Sequence, residues 1–148
     1  VQKDFGLAEG KTLLIEEMIQ IKREVAQGFL RNKEGNLTLL PLVDTIQENG
    51  ICNFVFYPAQ VSPEVASQVE AMLQKLSGHP LIGIFNFEFF VDESDRVYIN
   101  EGAPRPHNSQ HLTINASILS QFDLLGLYLL GATDVPRQIR TKNSAMIN

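Results

Sequence analysis

The chain is 148 residues long, 44% hydrophobic and 20% charged, the size and balance of one soluble globular domain with a single core. No apolar run reaches the roughly 18–20 residues that cross a bilayer, and residues 1–10 lack the basic and apolar regions of a leader, so a cytoplasmic protein without membrane attachment is expected. A formal charge of −5 argues against nucleic acid as a partner, because polyanions are held by excess Lys and Arg.

Residues 12–19 are an apolar run carrying Glu16-Glu17, and residues 24–31 alternate before the turn composition Asn32-Lys33-Glu34-Gly35. Together they predict two strands in a hairpin. Residues 37–43 predict a third strand and 51–57 a fourth, with Glu48-Asn49-Gly50 between them carrying the Asn-Gly signature of a tight reversal. Cys52, the single cysteine, falls in the fourth strand and reads as core packing rather than chemistry.

Ser62-Pro63-Glu64 then opens a helix: an N-cap, a proline at the first helical position and an acid facing the positive end of the dipole. Val65, Val69, Met72, Leu73 and Leu76 recur at helical spacing up to Gly78. Residues 81–91 and 96–99 predict two more strands joined by the acidic turn 92–95, and residues 116–130 predict a second helix that ends at Gly131. The fold class expected is α+β, an antiparallel sheet with two main helices packed on it. Residues 1–132 read as the domain and the polar tail 133–148 as a connector.

Two carboxylates are notable for their positions. Glu88 interrupts the apolar strand 82–91, and Glu101 ends the strand that follows. If the turn at 92–95 folds the chain back, the strands lie about 4.8 Å apart and both carboxylates can converge on one hard cation such as Mg²⁺. The alternative for Glu88 is an outward-facing strand residue, and for Glu101 a strand-end acid in solvent. Between strand and helix, Arg105, His107, Asn108 and Ser109 group a fixed cation, a titratable ring and two neutral donors. Such a loop binds phosphate or carboxylate groups, or His107 simply caps it.

The segment Tyr98-Ile99-Asn100-Glu101-Gly102-Ala103-Pro104-Arg105-Pro106-His107-Asn108-Ser109 closely resembles the Asn-Glu-x-Ala-Pro-Arg-Pro-His-Asn-Ser signature of the PurK branch of the ATP-grasp ligases. Ser120-Gln121-Phe122, Glu88-Phe89-Phe90-Val91, Tyr57-Pro58-Ala59 and Ala145-Met146-Ile147-Asn148 agree with it. The resemblance implies the larger, C-terminal lobe of an ATP-grasp fold. It implies that Glu16, Glu17, Met18 and Ile19 lie in the linker that holds adenine, that Glu24 grips the ribose hydroxyls, and that Gln47, Asn100 and Glu101 also meet ATP. It implies Glu88 and Glu101 as the Mg²⁺ pair. Arg105 and His107, as catalytic groups, with Asn108 and Ser109, are then similar to the residues that meet carboxyphosphate and aminoimidazole ribonucleotide. The implied reaction is ATP-dependent carboxylation of that ribonucleotide with bicarbonate, by an enzyme that is a homodimer when intact.

Three positions depart from the pattern: Gln47 stands where the family has a nucleotide-contacting His, Thr45 where Asn is usual, and Gln110 where Gly follows Asn-Ser. Family members also carry an N-terminal domain and a glycine-rich flap lobe before the point matching Val1, and a β-rich domain after the point matching Asn148. The expectation is therefore an incomplete ATP-grasp region, inactive by itself. A formate-dependent glycinamide ribonucleotide transformylase is the alternative ligase, although Asn108-Ser109 favours the carboxylating branch. A noncatalytic nucleotide-binding or association module is the alternative of a different class.

Overall fold

In the computed structural model, which describes residues 14–148, the sheet is organised about β1 (Ile21–Arg31). β5 (Gly83–Asp92) pairs along the whole of one edge of β1, and β6 (Val97–Ala103) pairs with β5. The other edge of β1 is shared by the short β2 (Leu37–Leu39) and by β3 (Val43–Glu48). β4 (Ile51–Tyr57) and β7 (Ser144–Ile147) complete the order β6-β5-β1-β3-β4-β7, with every pairing antiparallel. The β3–β4 reversal is the expected one. Asn49 and Gly50 both take positive φ, 53° and 75°, the pair of left-handed residues that matches the twist of a two-residue hairpin.

Alternation along β1 sorts the core onto the two faces. Val25 and Phe29 join Phe87, Phe89, Val91 and Val97 beneath α1 (Pro63–Ser77), which supplies Val65, Val69 and Leu73. Ser62 caps α1 by accepting from the Val65 amide, as its Ser-Pro-Glu opening predicts. On the opposite face Ala26 packs with Val43, Val55 and Leu112, and Leu30 with Leu40, Ile84, Leu124 and Ile139.

Several expectations are corrected. Residues 14–20 form no strand, and Leu14, Ile15 and Met18 are exposed. β1 is paired with β5 along one edge and with β2 and β3 along most of the other, and residues 14–20 lead into it without pairing back. The rest of that predicted strand, residues 12 and 13, lies outside the described residues. The strand predicted over 37–43 is two strands. Pro41, which has no amide hydrogen for a ladder, separates β2 from β3, and the Leu40 amide instead donates to Gly28 O at 2.9 Å.

The helix predicted over 116–130 starts later, as α3 (Gln121–Leu129), and a separate short helix, α2 (Thr113–Ala116), lies just before the predicted span. Ser120 and Asp123 form a reciprocal capping box that starts α3 afresh. Residues of the tail also pack against the sheet and helices. Gln138 bridges Leu39, Thr141 bridges Ser117, Ile139 is buried and β7 extends the sheet. Strand β6 also runs on through Ala103, taking in four residues expected to be loop.

Candidate active site

The pairing of β5 with β6 is in simple register from Val91↔Val97 to Phe89↔Ile99, and then shifts so that Glu88 faces Glu101, Phe87 faces Gly102 and Asn86 faces Ala103. Asn100 is the extra residue, a β-bulge. Uninterrupted register would set Glu101 opposite Phe87, on the face covered by α1. The bulge instead turns the Glu101 carboxylate to the face of Glu88, a re-aiming that bulges commonly perform beside functional sites.

The His107 ring lies against this pair. Its Nδ1 is 3.5 Å from Glu88 Oε1 and its Nε2 is 3.7 Å from Glu101 Oε1. Nδ1 is also 3.0 Å from Ser109 Oγ. The other Glu88 oxygen accepts from Gln47 Nε2 at 3.1 Å. Glu88 is buried and Glu101 exposed. Burial pushes the Glu88 carboxyl up to about 7, helped by the charges of Glu101 and Glu24 and opposed by the Gln47 hydrogen bond. Burial also raises Glu24 and lowers His107, whose ring is nevertheless held up by Glu101. At neutral pH the ring is therefore uncharged, and its two carboxylate contacts are not ion pairs.

Glu24 and Gln47 share a groove of about 410 Å³, with Lys22 and Phe56 in its lining. It opens where β1 and β3 part beyond the Glu24–Thr45 pair. The Thr45 hydroxyl is buried there without a hydrogen-bond partner among the described residues. Glu17, Met18 and Ile19 line a different depression, against Asp92, Arg96 and Tyr98, and Glu16 is exposed. The linker residues are thus not brought into one cavity with Glu24. Arg105 is exposed and spends its one side-chain hydrogen bond among the described residues on Pro106 O.

Sequence reasoning missed the residues that fix the loop. Asn86 Nδ2 donates to Arg105 O at 2.8 Å. Asn86 fits there because Gly28 faces it, where any Cβ would collide with the Asn86 side chain and with Phe85 O. Alternation had put Asn86 on the face of Glu88, a usable signal. Gln110 is wholly buried and donates to Pro41 O at 3.0 Å, and Gln121 bonds both ends of the His107 backbone. The family pattern marked both positions, Gln110 as a departure and Gln121 as a match, but nothing local in the sequence showed what they bond.

Among the described residues, no three His, Cys, Asp or Glu side chains gather as a ready-made metal cage. The acceptor-only oxygens of Glu88 and Glu101 nevertheless fit a hard divalent cation that draws its remaining ligands from phosphate and water. Glu88 is raised by burial first and by the charges of Glu101 and Glu24 second, and such a cation relieves that repulsion.

The description "ATP-grasp domain" matches residues 2–122. The chain belongs to the ATP-grasp family. This ATP-grasp chain is 33% identical over 137 residues to the phosphoribosylaminoimidazole carboxylase of Candida glabrata, covering 92% of the chain and 24% of that protein. The crystal structure of N5-carboxyaminoimidazole synthetase from Staphylococcus aureus complexed with ADP superposes with a TM-score of 0.79 at 34% identity, covering 90% of this chain and 36% of that one. The Aspergillus clavatus N5-carboxyaminoimidazole synthase, in complex with ADP and 5-aminoimidazole ribonucleotide, gives 0.75 at 32% identity, with 88% and 36% covered. The chain thus spans between about a quarter and two-fifths of the length of its relatives. Among the described residues no helix is long and apolar enough to cross a membrane.

Proposed function

We propose that this chain is the nucleotide- and metal-holding part of a carboxylating ATP-grasp ligase, which joins bicarbonate to aminoimidazole ribonucleotide in purine biosynthesis. The observation that carries the reading is the Glu88–Glu101 pair, made by the Asn100 bulge and faced by His107. The similarity to synthases crystallised with ADP and with 5-aminoimidazole ribonucleotide supports it.

In this reading Glu88 and Glu101 would hold Mg²⁺, which when bound neutralises phosphate charge and orients the transferring group. Glu24 accepts from the ribose hydroxyls, while Gln47 and Asn100 offer neutral donors to the nucleotide. A bicarbonate oxygen attacks the γ-phosphorus of ATP, ADP leaves, and carboxyphosphate forms. The amine of the ribonucleotide then attacks the carboxyl carbon as phosphate departs. Arg105 supplies the planar charged fork for the carboxyphosphate anion. His107, uncharged and already beside both carboxylates, orients the ribonucleotide with Asn108 and Ser109. Glu16, Glu17, Met18 and Ile19 meet adenine once the rest of the nucleotide site surrounds them. The domain assignment extends to a cytoplasmic homodimer on the family resemblance alone, with residues 133–148 leading into a further domain.

Calorimetric titration of the chain with ADP, with and without Mg²⁺, tests the reading. It predicts binding that requires Mg²⁺ and is lost in Glu101→Gln. Failure to bind in either condition would support a scaffold with no retained nucleotide site.

A further inference from the structure

The side chain of Gln121, at the start of α3, is wholly buried and, among the described residues, bonds only to His107. Its Oε1 accepts from the His107 amide at 2.9 Å, and its Nε2 donates to the His107 carbonyl at 2.8 Å. Because one partner is a fixed donor and the other a fixed acceptor, the orientation of the carboxamide is set by the backbone it grips.

The circuit closes through α2. Gln110 N–H donates to His107 O at 3.1 Å, Thr113 Oγ1 donates to Gln110 O at 2.6 Å, and the Gln121 amide donates to Thr113 Oγ1 at 3.0 Å. Thr113, Gln110 and Gln121 are all fully buried. Buried networks in which every bond serves one geometry fix that geometry tightly.

We infer that Gln121 is the positioning residue of the site: it holds the His107 backbone so that the ring lies between Glu88 and Glu101. The role demands a donor and an acceptor at one reach, which only a carboxamide supplies, and Asn is one methylene too short. Glu keeps the acceptor and loses the donor, and Leu keeps the volume and loses both. The inference rests on the proposed function only for what the ring then does. The clamp itself is a property of the unliganded chain.

The test is NMR of the ligand-free chain labelled at histidine, comparing wild type with Gln121→Leu, Gln121→Glu and the near-isosteric Thr113→Val. Val69→Ala, in α1 on the far face of the sheet, serves as a destabilised control. Gln121→Leu should displace the His107 ring resonances and speed exchange of its amide by at least about tenfold, as local opening does. Gln121→Glu and Thr113→Val should show smaller displacements of the same resonances, and they keep the question answerable if Gln121→Leu does not fold. Val69→Ala should lower the melting midpoint and leave those resonances in place. Unmoved ring resonances in all three site variants would overturn the inference, as would an equal displacement in Val69→Ala. Titration of wild type with Mg·ADP, which calls on the carboxylate pair and not the ring, examines the functional reading separately.

Discussion

Glu88 and Glu101 face each other across β5 and β6 because Asn100 is one residue more on β6 than β5 has opposite it. One inserted residue decides whether the second carboxylate meets the first or the phenylalanines under α1. The site is therefore a product of register before it is a product of side-chain identity.

Removing that residue gives the first prediction. Deletion of Asn100 restores simple register and drives Glu101 toward Phe87. Burying an unpaired carboxylate among apolar groups costs several kcal/mol, so urea denaturation should show a large loss of stability. Asn100→Ala keeps the residue count and should stay within about 1 kcal/mol of wild type.

The acidity of Glu88 sets a pH dependence. Its folded value, about 7, stands above the ordinary glutamate value of 4.5, so the folded chain holds this proton more tightly than the unfolded chain does. That stabilisation is complete below pH 4.5 and is lost as pH rises through about 7. Without divalent cations, Glu88→Gln should flatten the fall and be the more stable chain at pH 8, by up to ~3 kcal/mol. A wild type whose stability does not fall between pH 5 and 8 relative to Glu88→Gln would contradict the assignment.

The same proton competes with metal. A cation ligated by Glu88 must displace it, so Mg²⁺ affinity should rise with pH up to about 7 and level off above. Thermal shift with Mg²⁺ at pH 6 and pH 8 reads this directly, with the larger stabilisation expected at pH 8. Glu101→Gln should abolish the shift at both.

Ser120→Ala tests the local account of α3. It removes the hydroxyl that accepts from the Asp123 amide at 3.1 Å, and capping losses of this kind cost about 0.5–2 kcal/mol. Because α3 carries Gln121, the loss should also loosen the 107–110 loop, visible as faster amide exchange there.

Much of this was legible in the residues. The Asn-Gly reversal and the Ser-Pro-Glu helix start are local signals with local causes, and they appear where expected. The two carboxylates do lie on neighbouring strands as the turn at 92–95 suggested, but the Asn100 bulge that sets them face to face gave no signal in the sequence. Other features depended on partners distant in sequence. Residues 14–20 have strand composition but pair with no strand, whereas β7 pairs with β4. The start of α3 was readable from the Ser120-Gln-x-Asp123 spacing only in part, since the apolar run through 116–130 masked the Ser120 cap. Gln110 and Gln121 gave no periodic signal at all. Their partners are backbone atoms of a loop whose path no window of sequence specifies.

In the proposed site Glu88 and Glu101 together hold the cation that accompanies the nucleotide. Mn²⁺ added with ADP to the ¹⁵N-labelled chain probes this at the residues themselves, because the paramagnetic ion broadens the amides nearest to it. The resonances of Glu88, Glu101 and His107 should disappear first and persist in Glu101→Gln. Broadening centred instead on the acidic turn at Asp92, Glu93 and Asp95, with Glu88 and Glu101 left sharp, would contradict it.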